Sequence, residues 1–319
     1  MFLIEKLNTK AIKSLISRYS TRINKYKIFS NYSLLYFIEG KYHLPFATNI
    51  HQILLGVLFV RRKRFNFYFK GNLHVKKFSI VQKRIDNLFR FIKKKYRFYY
   101  FDRVDTNFYQ RKDFLHNDEN DFPINSEDRN FYYENIHSVA KNELFHKLKF
   151  YKDINISKET LVIHLRSGDI FYDDWHSLYV QNPLGYYLKI SQKYKKILIL
   201  TEHVENNFLL KELEKKIDFE IISGSLENDA NILLNAPNLA TSGVSAFPIA
   251  CALLSQKLEK LIVSNIYLNE HLNPKMINKD FVDVESYEIK NYIDIGEFKK
   301  NDTNLEKLLS WDTENITKI

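Results

Sequence analysis

The segment at residues 160–169 carries a buried-strand pattern that is followed at once by side chains able to bind an anion. Residues 160–163 are apolar or β-branched, which is typical of a short buried strand. His164, Arg166 and Asp169 come where that strand should end. Ligands of an open parallel sheet bind outside the carboxyl ends of its strands. We therefore expect these side chains to face a binding crevice.

Arg166 is the side chain of this segment that is best suited to a phosphate. Its planar guanidinium donates two parallel hydrogen bonds and stays charged at every working pH. Gly168 permits a backbone conformation that other residues avoid. One alternative stays open at this point, because Arg166 and Asp169 could instead form an ordinary surface salt bridge at the end of the strand.

The tetrapeptide SGVS at residues 242–245 is a second candidate anion-binding feature. It opens an apolar helix pattern, and the free N–H groups and the dipole of a helix N-terminus favour a bound anion. Together with Arg166, this turn could hold a nucleotide diphosphate. Asp229 lies 13 residues before the turn. It either accepts hydrogen bonds from a ribose or a base, or caps the preceding helix.

Strand and helix patterns alternate regularly between residues 160 and 264. Strands are predicted at residues 160–163, 196–200, 219–222, 239–241 and 260–264, with helices at 183 onward, 205–216, 228–236 and 242–255. This alternation is typical of an α/β fold with a doubly wound parallel sheet. Polar residues recur at the predicted strand ends, so several of them should share one edge of the sheet.

The length of 319 residues predicts two domains. We expect a basic N-terminal domain (1–153), a nucleotide-binding domain (154–295) and a helical tail (296–319) that packs back on the N-terminal domain. Within the N-terminal part, the pattern predicts a helix at residues 49–60 that begins near Thr48 and Asn49, a strand at 65–69 and a helix from 126 to about 153.

The charge of the chain is distributed unevenly. The first 100 residues hold 22 Lys and Arg against 3 acids, although the whole chain has a net charge of only +10. This basic region fits an anionic lipid surface or an anionic polymer, or it is simply a solvated face. The longest apolar run, at 53–60, is far shorter than a bilayer requires, and no signal-peptide core is visible. We therefore expect a cytoplasmic protein that is at most peripheral on the inner face of the plasma membrane.

Cys251 is the single cysteine of the chain. It excludes an internal disulfide framework and a cysteine-clustered zinc site.

The candidate residues together resemble the fucosyltransferase superfamily, which includes the α1,2- and α1,6-fucosyltransferases and the protein O-fucosyltransferases. The resemblance rests on H-x-R-x-x-D at residues 164–169, Thr201-Glu202, Asp229, and the turn Ser242-x-x-Ser245-Ala246-Phe247. Asn49-Ile-His-Gln52 is similar to the G-x-G-N-Q-x-x-Q loop of those enzymes. The chain departs from that loop because Pro45, Phe46 and Ala47 replace its glycines.

The resemblance implies an inverting enzyme of the GT-B type, in which two Rossmann-like domains face each other across a cleft and no metal ion is needed. The nucleotide sugar would bind the C-terminal domain and the acceptor mostly the N-terminal one. Arg166 would hold the donor diphosphate, His164 would line the nucleoside site, and Asp229 would contact the base. The full set of predicted donor-binding residues is His164, Arg166, Asp229, Ser242, Gly243, Ser245, Ala246 and Asn49.

Catalysis would require charge stabilisation and a general base. Arg166 would stabilise the negative charge that builds up on the leaving diphosphate. The acceptor hydroxyl must lose a proton, and the candidate bases in the loop after the central strand are Asp169, Asp173, Asp174 and His176. The sequence does not choose among them. A metal-binding role for Asp173-Asp174 is disfavoured by the preceding H-x-R motif.

The predicted function is transfer of a sugar, expected to be fucose from GDP-fucose, to a hydroxyl of a polysaccharide, an oligosaccharide or a lipid-linked glycan. One alternative keeps the fold and uses a different nucleotide sugar. A second is a catalytically inactive carbohydrate-binding relative, because the loop at residues 45–49 is altered. A third is a nucleic-acid-binding protein, which is disfavoured because no RNP, zinc-finger or helix-turn-helix signature is present.

Overall fold

The computed structural model of the chain describes residues 35–38, 45–63, 66–69, 72–80, 126–171, 175–202, 204–269 and 271–319. Several predictions fall on other residues and so lie outside the described part of the chain. They include the candidate base Asp173, its neighbour Asp174, and most of the basic region at residues 1–100.

The N-terminal residues form a small sheet and two helices. The elements are β1 (Leu35–Ile38), α1 (Phe46–Lys63), β2 (Asn66–Phe69), β3 (Phe78–Ile80) and α2 (Ser126–Val139). The strand order is β1-β2-β3, with β1 parallel to β2 and β2 antiparallel to β3. Because α1 connects two parallel strands, β1–α1–β2 is a βαβ unit.

The remaining elements build one large sheet and the helices that flank it. They are β4 (Thr160–His164), α3 (Leu184–Ser191), β5 (Lys196–Leu200), α4 (Phe208–Leu213), β6 (Glu220–Ile222), α5 (Leu226–Asn235), β7 (Asn238–Ala240), α6 (Ala246–Leu254), β8 (Lys260–Ser264), β9 (Asp283–Ile289), α7 (Asp302–Ser310) and β10 (Ile316–Lys318). The strand order is β10-β9-β8-β7-β4-β5-β6. All pairs are parallel except β9–β10. The predicted α/β class and its mostly parallel sheet are confirmed, while the second Rossmann-like domain and the division at residue 153 stay predictions.

Successive residues of the central strand contribute to two different hydrophobic cores, because side chains alternate across a sheet. Leu161 and Ile163 pack on the face that carries α3, α4 and α7. Val162 packs on the opposite face, with α5 and α6. All three are fully buried, and burying each such side chain contributes about 2 kcal/mol to stability.

Helix α1 belongs to the core on the α5–α6 face. Its buried apolar residues include a set at helical spacing, Phe46, Ile50, Ile53, Leu54, Val57 and Leu58. They join the same cluster as Val162, and α1 contacts both α2 and α6. No helix in the described segments is both long and apolar enough to cross a membrane.

The start of α1 differs from the prediction. The helix begins at Phe46, and the Asn49 N–H donates to the Pro45 carbonyl at 3.0 Å. Thr48 and Asn49 therefore lie within the first turn, and the prediction that the helix begins near these two residues was wrong. Proline is well suited to the start of a helix because its fixed φ is already helical.

Two asparagines of α5 hold the segment that enters the large sheet. The Asn231 side chain accepts from the Lys152 N–H (2.8 Å) and donates to the Phe150 carbonyl (3.0 Å). The Asn235 side chain likewise accepts from the Ile154 N–H (3.1 Å) and donates to the Lys152 carbonyl (2.9 Å). The segment at 150–154, where a domain boundary is predicted, is thus tied to the sheet layer.

The C-terminal residues contain two strands that the sequence did not predict. Strand β9 begins within the acidic stretch at residues 280–288, and its alternating burial places Glu285 and Tyr287 inside. After α7, β10 adds the last strand of the large sheet. Helix α7 contacts α3 and α4, two helices that flank the large sheet. Packing of the tail on the N-terminal domain stays a prediction.

Candidate functional site

The carboxyl ends of β4 and β7 meet at the point where the strand order reverses. The two strands are neighbours, with Ile163 paired to Ala240, and β5 and β8 lie on opposite sides of them. Such a reversal leaves a crevice in which open α/β sheets bind ligands. His164 Nδ1 and Ser242 Oγ lie 3.3 Å apart across it. The structure thus brings together the two segments that the sequence analysis singled out, 164–169 and 242–245.

Gly243 has a conformation and a position that require glycine. Its φ is +92°, and a Cβ atom there would lie 2.4 Å from the Val180 carbonyl oxygen. The same carbonyl accepts the Val244 N–H at 3.0 Å. Residues 180–182 therefore cross directly over the turn between β7 and α6 and hold it in place.

Asn182 fixes this turn through three hydrogen bonds. Its backbone N–H donates to the Ser242 carbonyl (3.3 Å) and its side-chain amide donates to the Thr241 carbonyl (3.0 Å). Its side-chain oxygen accepts from Ser264 Oγ at 2.6 Å. Asn182 thus links the ends of β7 and β8. The role of Asn182 was missed, because the Asn-Pro pair at residues 182–183 indicates only where a helix begins.

The N-terminus of α6 presents, beside the crevice, backbone N–H groups that make no hydrogen bond within the helix. Ser245 occupies the N-cap position with an extended backbone, and its side chain does not cap the helix. Pro248 lacks an N–H, so Ala246 and Phe247 carry the first-turn donors that have no partner within the helix. These groups and the helix dipole make this end of α6 attractive to an anion.

His164 is held in its neutral form. Its side chain is buried, and burial together with the nearby Arg166 charge lowers the pKa of His164 to about 3. The Phe247 ring packs edge-on against the imidazole, with 5.5 Å between centroids. A neutral imidazole offers one donor and one acceptor, which suits hydrogen bonding to a ligand better than charge pairing.

Arg166 is half-buried and oriented by an aromatic ring. Its guanidinium carbon lies 3.8 Å from the centroid of Tyr179, a cation–π contact that restricts the side chain. Gly168 has a φ of +65°, so the predicted special conformation is confirmed. Asp169 belongs to the short turn Gly168–Ile170, and only its backbone is described. The salt-bridge alternative therefore stays open.

Two histidines flank the Tyr179 ring. His176 is exposed and lies 4.5 Å from it between centroids, and His271 lies 6.1 Å from it. Burial and the neighbouring His271 lower the pKa of His51, in α1, to about 3, so His271 lies near both α1 and Tyr179. The candidate base His176 and the Arg166 guanidinium contact the same ring, that of Tyr179. Tyr179 and His271 were missed, because no local pattern marks either residue.

Asp229 lies beside the end of β5, within the first turn of α5. Ser225 is the N-cap and accepts the Asn228 N–H at 3.3 Å, so the capping role that was one alternative for Asp229 is wrong. Burial and the nearby Glu202 carboxylate raise the pKa of Asp229, against a backbone hydrogen bond from Gly224 that lowers it. Its Oδ1 atom is buried without a hydrogen-bond partner among the described residues.

Asn49 is buried in the first turn of α1. The Phe46 ring, in the same turn, packs against Phe247 with 5.9 Å between centroids. The N-termini of α1 and α6 are therefore adjacent. Because Phe247 also packs on His164, both helix ends lie near the crevice. Donor contact by Asn49 stays a prediction, and the open loop expected before it is replaced by helix from Phe46 onward.

A depression of about 850 Å³ opens at the carboxyl ends of β8 and β9, along the same edge of the sheet. It is lined by residues 265–266 and 288–295. Among the described residues, no group of three His, Cys, Asp or Glu side chains could hold a metal ion. Comparison of the chain with protein-family models, with curated proteins and with solved structures found no match.

Proposed function

We propose that this protein is an inverting glycosyltransferase that transfers a sugar from a nucleoside diphosphate donor, with GDP-fucose as the first candidate. The supporting observation is the meeting of two anion-binding features at the reversal of strand order. The His164–Ser242 contact of 3.3 Å joins them. The choice of GDP and of fucose rests on the resemblance of residues 164–169 and 242–247 to the fucosyltransferase superfamily.

The donor diphosphate would lie between Arg166 and the N-terminus of α6. As the glycosidic bond breaks, negative charge develops on the diphosphate oxygens. A fixed guanidinium and the Ala246 and Phe247 N–H groups would stabilise it there. Arg166 is already oriented by Tyr179 at 3.8 Å, so little reorganisation is needed during the reaction.

The nucleoside would extend from the diphosphate toward β5. Asp229 lies on that side, and its Oδ1 atom has no hydrogen-bond partner among the described residues. Carboxylate oxygens accept hydrogen bonds from ribose hydroxyls or a base edge. The neutral His164 ring would contact the nucleoside near the crevice. This arrangement leaves the β7–β8 side for the transferred sugar.

The transfer itself needs one proton acceptor. The acceptor oxygen bonds to the anomeric carbon while the bond from that carbon to the diphosphate oxygen breaks, and the acceptor proton moves to a base. His176 and Asp169 are the candidates for this base that lie within the described residues, and His176 contacts the ring that orients Arg166. The acceptor would be a hydroxyl of a polysaccharide, an oligosaccharide or a lipid-linked glycan.

The second Rossmann-like domain is part of this proposal. The βαβ unit formed by β1, α1 and β2 supports it, because such units are the building blocks of Rossmann-like folds. Peripheral membrane binding through residues 1–100 is also proposed. Salt-sensitive flotation with anionic vesicles, absent with neutral ones, is the expected result.

Isothermal titration with GDP tests the donor site. We expect Arg166→Ala to weaken GDP binding at least tenfold, because a charge-assisted hydrogen bond contributes about 1.5–3 kcal/mol. Arg62→Ala is the matched control, since Arg62 is an exposed arginine whose guanidinium lies 5.6 Å from the Phe131 ring. Absence of GDP binding by the unaltered protein at millimolar concentration would contradict the proposal. So would equal affinities in the two variants.

A donor panel separates the proposal from its alternatives. Incubation with GDP-, UDP-, ADP- and CMP-linked sugars should release free nucleotide from one donor at a rate that Arg166→Ala lowers strongly. Turnover of a donor other than GDP-fucose would keep the transferase and change its substrate. Binding without turnover of any donor would indicate an inactive relative.

A further inference from the structure

We propose that the depression at the ends of β8 and β9 binds a neutral, hydroxyl-rich saccharide. Its role as the acceptor subsite rests on the proposed transferase function, whereas the binding itself does not. This places the acceptor on the large sheet, although the family resemblance implies an acceptor mostly on the N-terminal domain. Four properties of the depression support saccharide binding: its size, its chemistry, its fixed walls and its position.

The size of the depression fits a small saccharide. Its volume is about 850 Å³, within the range of about 300–1,000 Å³ that is usual for small-molecule sites. It opens on the edge of the sheet that carries His164 and Ser242, because the ends of parallel strands share one edge.

The lining contains both hydrogen-bond donors and acceptors, and a sugar hydroxyl can bond to either. Glu288 and Asp294 offer carboxylate acceptors, Lys290 an ammonium donor, and Asn291 an amide that does both. The Glu288 and Lys290 charged atoms are 3.8 Å apart, and their side chains are 42% and 52% exposed, so this loose pair leaves bonding capacity for a ligand. Because both signs of charge are present, an anion or a cation would each meet a like charge. A neutral polyol carries no charge and is therefore repelled by neither group.

An apolar surface lies beside these polar groups. Ile295 lines the depression and is 39% exposed, and Ile266 and Ile293 also contribute. Sugar rings present C–H faces next to their hydroxyls, so a site for them combines apolar contact with a few polar groups.

The walls of the depression are fixed by hydrogen bonds to neighbouring elements. The Asn265 side chain accepts the Ile289 N–H at 3.1 Å, and the Lys290 N–H donates to the Asn315 carbonyl at 3.0 Å. Lys307 Nζ bonds the Tyr292 carbonyl at 2.9 Å. A preformed site loses less conformational entropy when it binds a ligand.

The depression is also connected to the proposed donor site. The Gly296 N–H, next to its lining, donates to the Ser177 carbonyl at 3.0 Å. Ser177 lies in the turn that carries Tyr179, the ring that stacks on Arg166. Since β8 is two strands from β4 and strands are about 4.8 Å apart, the two sites are about 10 Å apart along the edge. A saccharide in the depression would lie beside the sugar to be transferred.

NMR of isoleucine methyl groups in the full-length protein tests this site directly. The probes are lactose, N-acetyllactosamine and cellobiose at millimolar concentrations. At least one of them should shift the methyl signals of Ile266, Ile293 and Ile295 and leave those of Ile53 and Ile136, in the core near α1 and α2, unchanged. If none of the three saccharides shifts the lining methyl signals, the inference is wrong.

Two variants give a second readout. The double variant Glu288→Gln with Asp294→Asn should weaken saccharide binding at least tenfold and leave GDP affinity unchanged. Glu306→Gln, at an exposed site on α7, should change neither. Saccharide affinity equal to that of the unaltered protein in the double variant would overturn the inference.

GDP titration in the same NMR experiment separates this inference from the proposed function. Saccharide binding without any GDP binding would support the saccharide site and refute the transferase proposal. GDP shifts at Ile266, Ile293 and Ile295 would assign the depression to the nucleotide and refute the saccharide site. With Arg166→Ala, saccharide binding should persist while GDP binding is weakened at least tenfold.

Discussion

Glu285 at the β9–β10 edge and Gln181 beside the β4–β7 crevice are both buried, but they differ in their hydrogen bonding. Glu285 accepts hydrogen bonds from Lys193 (2.6 Å), Tyr287 (2.5 Å) and Lys318 (2.9 Å). The Nε2 and Oε1 atoms of Gln181 have no partner among the described residues. The edge therefore satisfies its buried charge internally, whereas the crevice does not satisfy its buried amide.

This difference between Glu285 and Gln181 agrees with the proposed binding role of the crevice. A buried polar group without a partner costs about 1–3 kcal/mol, so it usually marks a place where a ligand or a water supplies the missing bond. Asp229, on the β5 side of the crevice, shows the same feature at Oδ1. In the proposed function the crevice is the binding region, while the hydrogen bonds of Glu285 stabilise the β9–β10 edge.

Between about pH 7.5 and about pH 5, acid should destabilise the fold mainly through its buried histidines rather than through Glu285 at the edge. Burial and Arg166 lower the pKa of His164 to about 3, and burial and Lys141 lower that of His137 to about 4, from 6.5. The unfolded chain therefore takes up protons first as the pH falls below about 6.5. The free energy of unfolding should then fall by up to about 1.4 kcal/mol per pH unit for each histidine. Urea unfolding between about pH 7.5 and about pH 4.5 measures this slope.

One substitution tests how much of the pH dependence of the free energy of unfolding comes from His137. His137→Asn keeps an acceptor for the Asn278 N–H, which is 3.0 Å from Nδ1, and should reduce the slope by about one proton. The exposed His146→Asn is the matched control. An unaltered slope in His137→Asn would contradict this explanation. Glu285 should begin to contribute only near pH 4.5 and below, because burial raises its pKa but hydrogen bonds from Lys193, Tyr287 and Lys318 outweigh burial and lower it from 4.5 to about 2.

Gly243→Ala, in the crevice, should destabilise the protein more than any substitution at the β9–β10 edge. A Cβ would lie 2.4 Å from the Val180 oxygen at a φ of +92°, so strain and a backbone clash combine to about 3 kcal/mol or more. Gly296→Ala is the control, because its φ is +104° but nothing lies within 4 Å of the added atom. It should cost about 1 kcal/mol. Equal losses of stability of the two variants in urea unfolding would mean that residues 180–182 move away from the added Cβ at little energetic cost.

Glu285→Gln should destabilise the protein by about 2 kcal/mol, because charge-assisted hydrogen bonds from Lys193 and Lys318 are lost. Glu306→Gln, which removes an exposed charge, should stay within about 0.5 kcal/mol of the unaltered protein. Thermal unfolding measures both variants. GDP affinity should be unchanged in Glu285→Gln, and a decrease would show that the edge and the crevice are coupled.

Asp229→Asn should have the smallest effect on stability, within about 0.5 kcal/mol and in the stabilising direction. The substitution removes the repulsion with Glu202 that helps to raise the pKa of Asp229, and it keeps an oxygen acceptor. GDP affinity, measured by isothermal titration, should decrease several-fold. A loss of stability as large as that of Glu285→Gln would remove the distinction between the two regions.

The sequence predicted the fold where strands are fully buried and bounded by turn residues. The bounds of β5 and β8 agree with the prediction, because apolar runs between polar segments mark parallel strands. Strand β9 was missed because the acids Asp283, Glu285 and Glu288 interrupt its apolar pattern. Glu285 is buried because lysines distant in the sequence pair with it.

The candidate site was predicted in part. His164, Arg166 and the turn at 242–245 carry local signals, since polar residues follow apolar strands. Tyr179 and Asn182 carry none, because their roles depend on contacts with residues such as Arg166 and Ser264 that fold next to them. Sequence patterns identify the polar residues that follow a strand. The residues that hold them in place are determined by tertiary packing.

A crystal structure of the complex with GDP tests the central claim most directly. We expect the diphosphate between the Arg166 guanidinium and the N–H groups of Ala246 and Phe247, with the guanosine directed toward Asp229. GDP bound at any other part of the sheet edge, or a crevice that stays empty at saturating GDP, would contradict the claim.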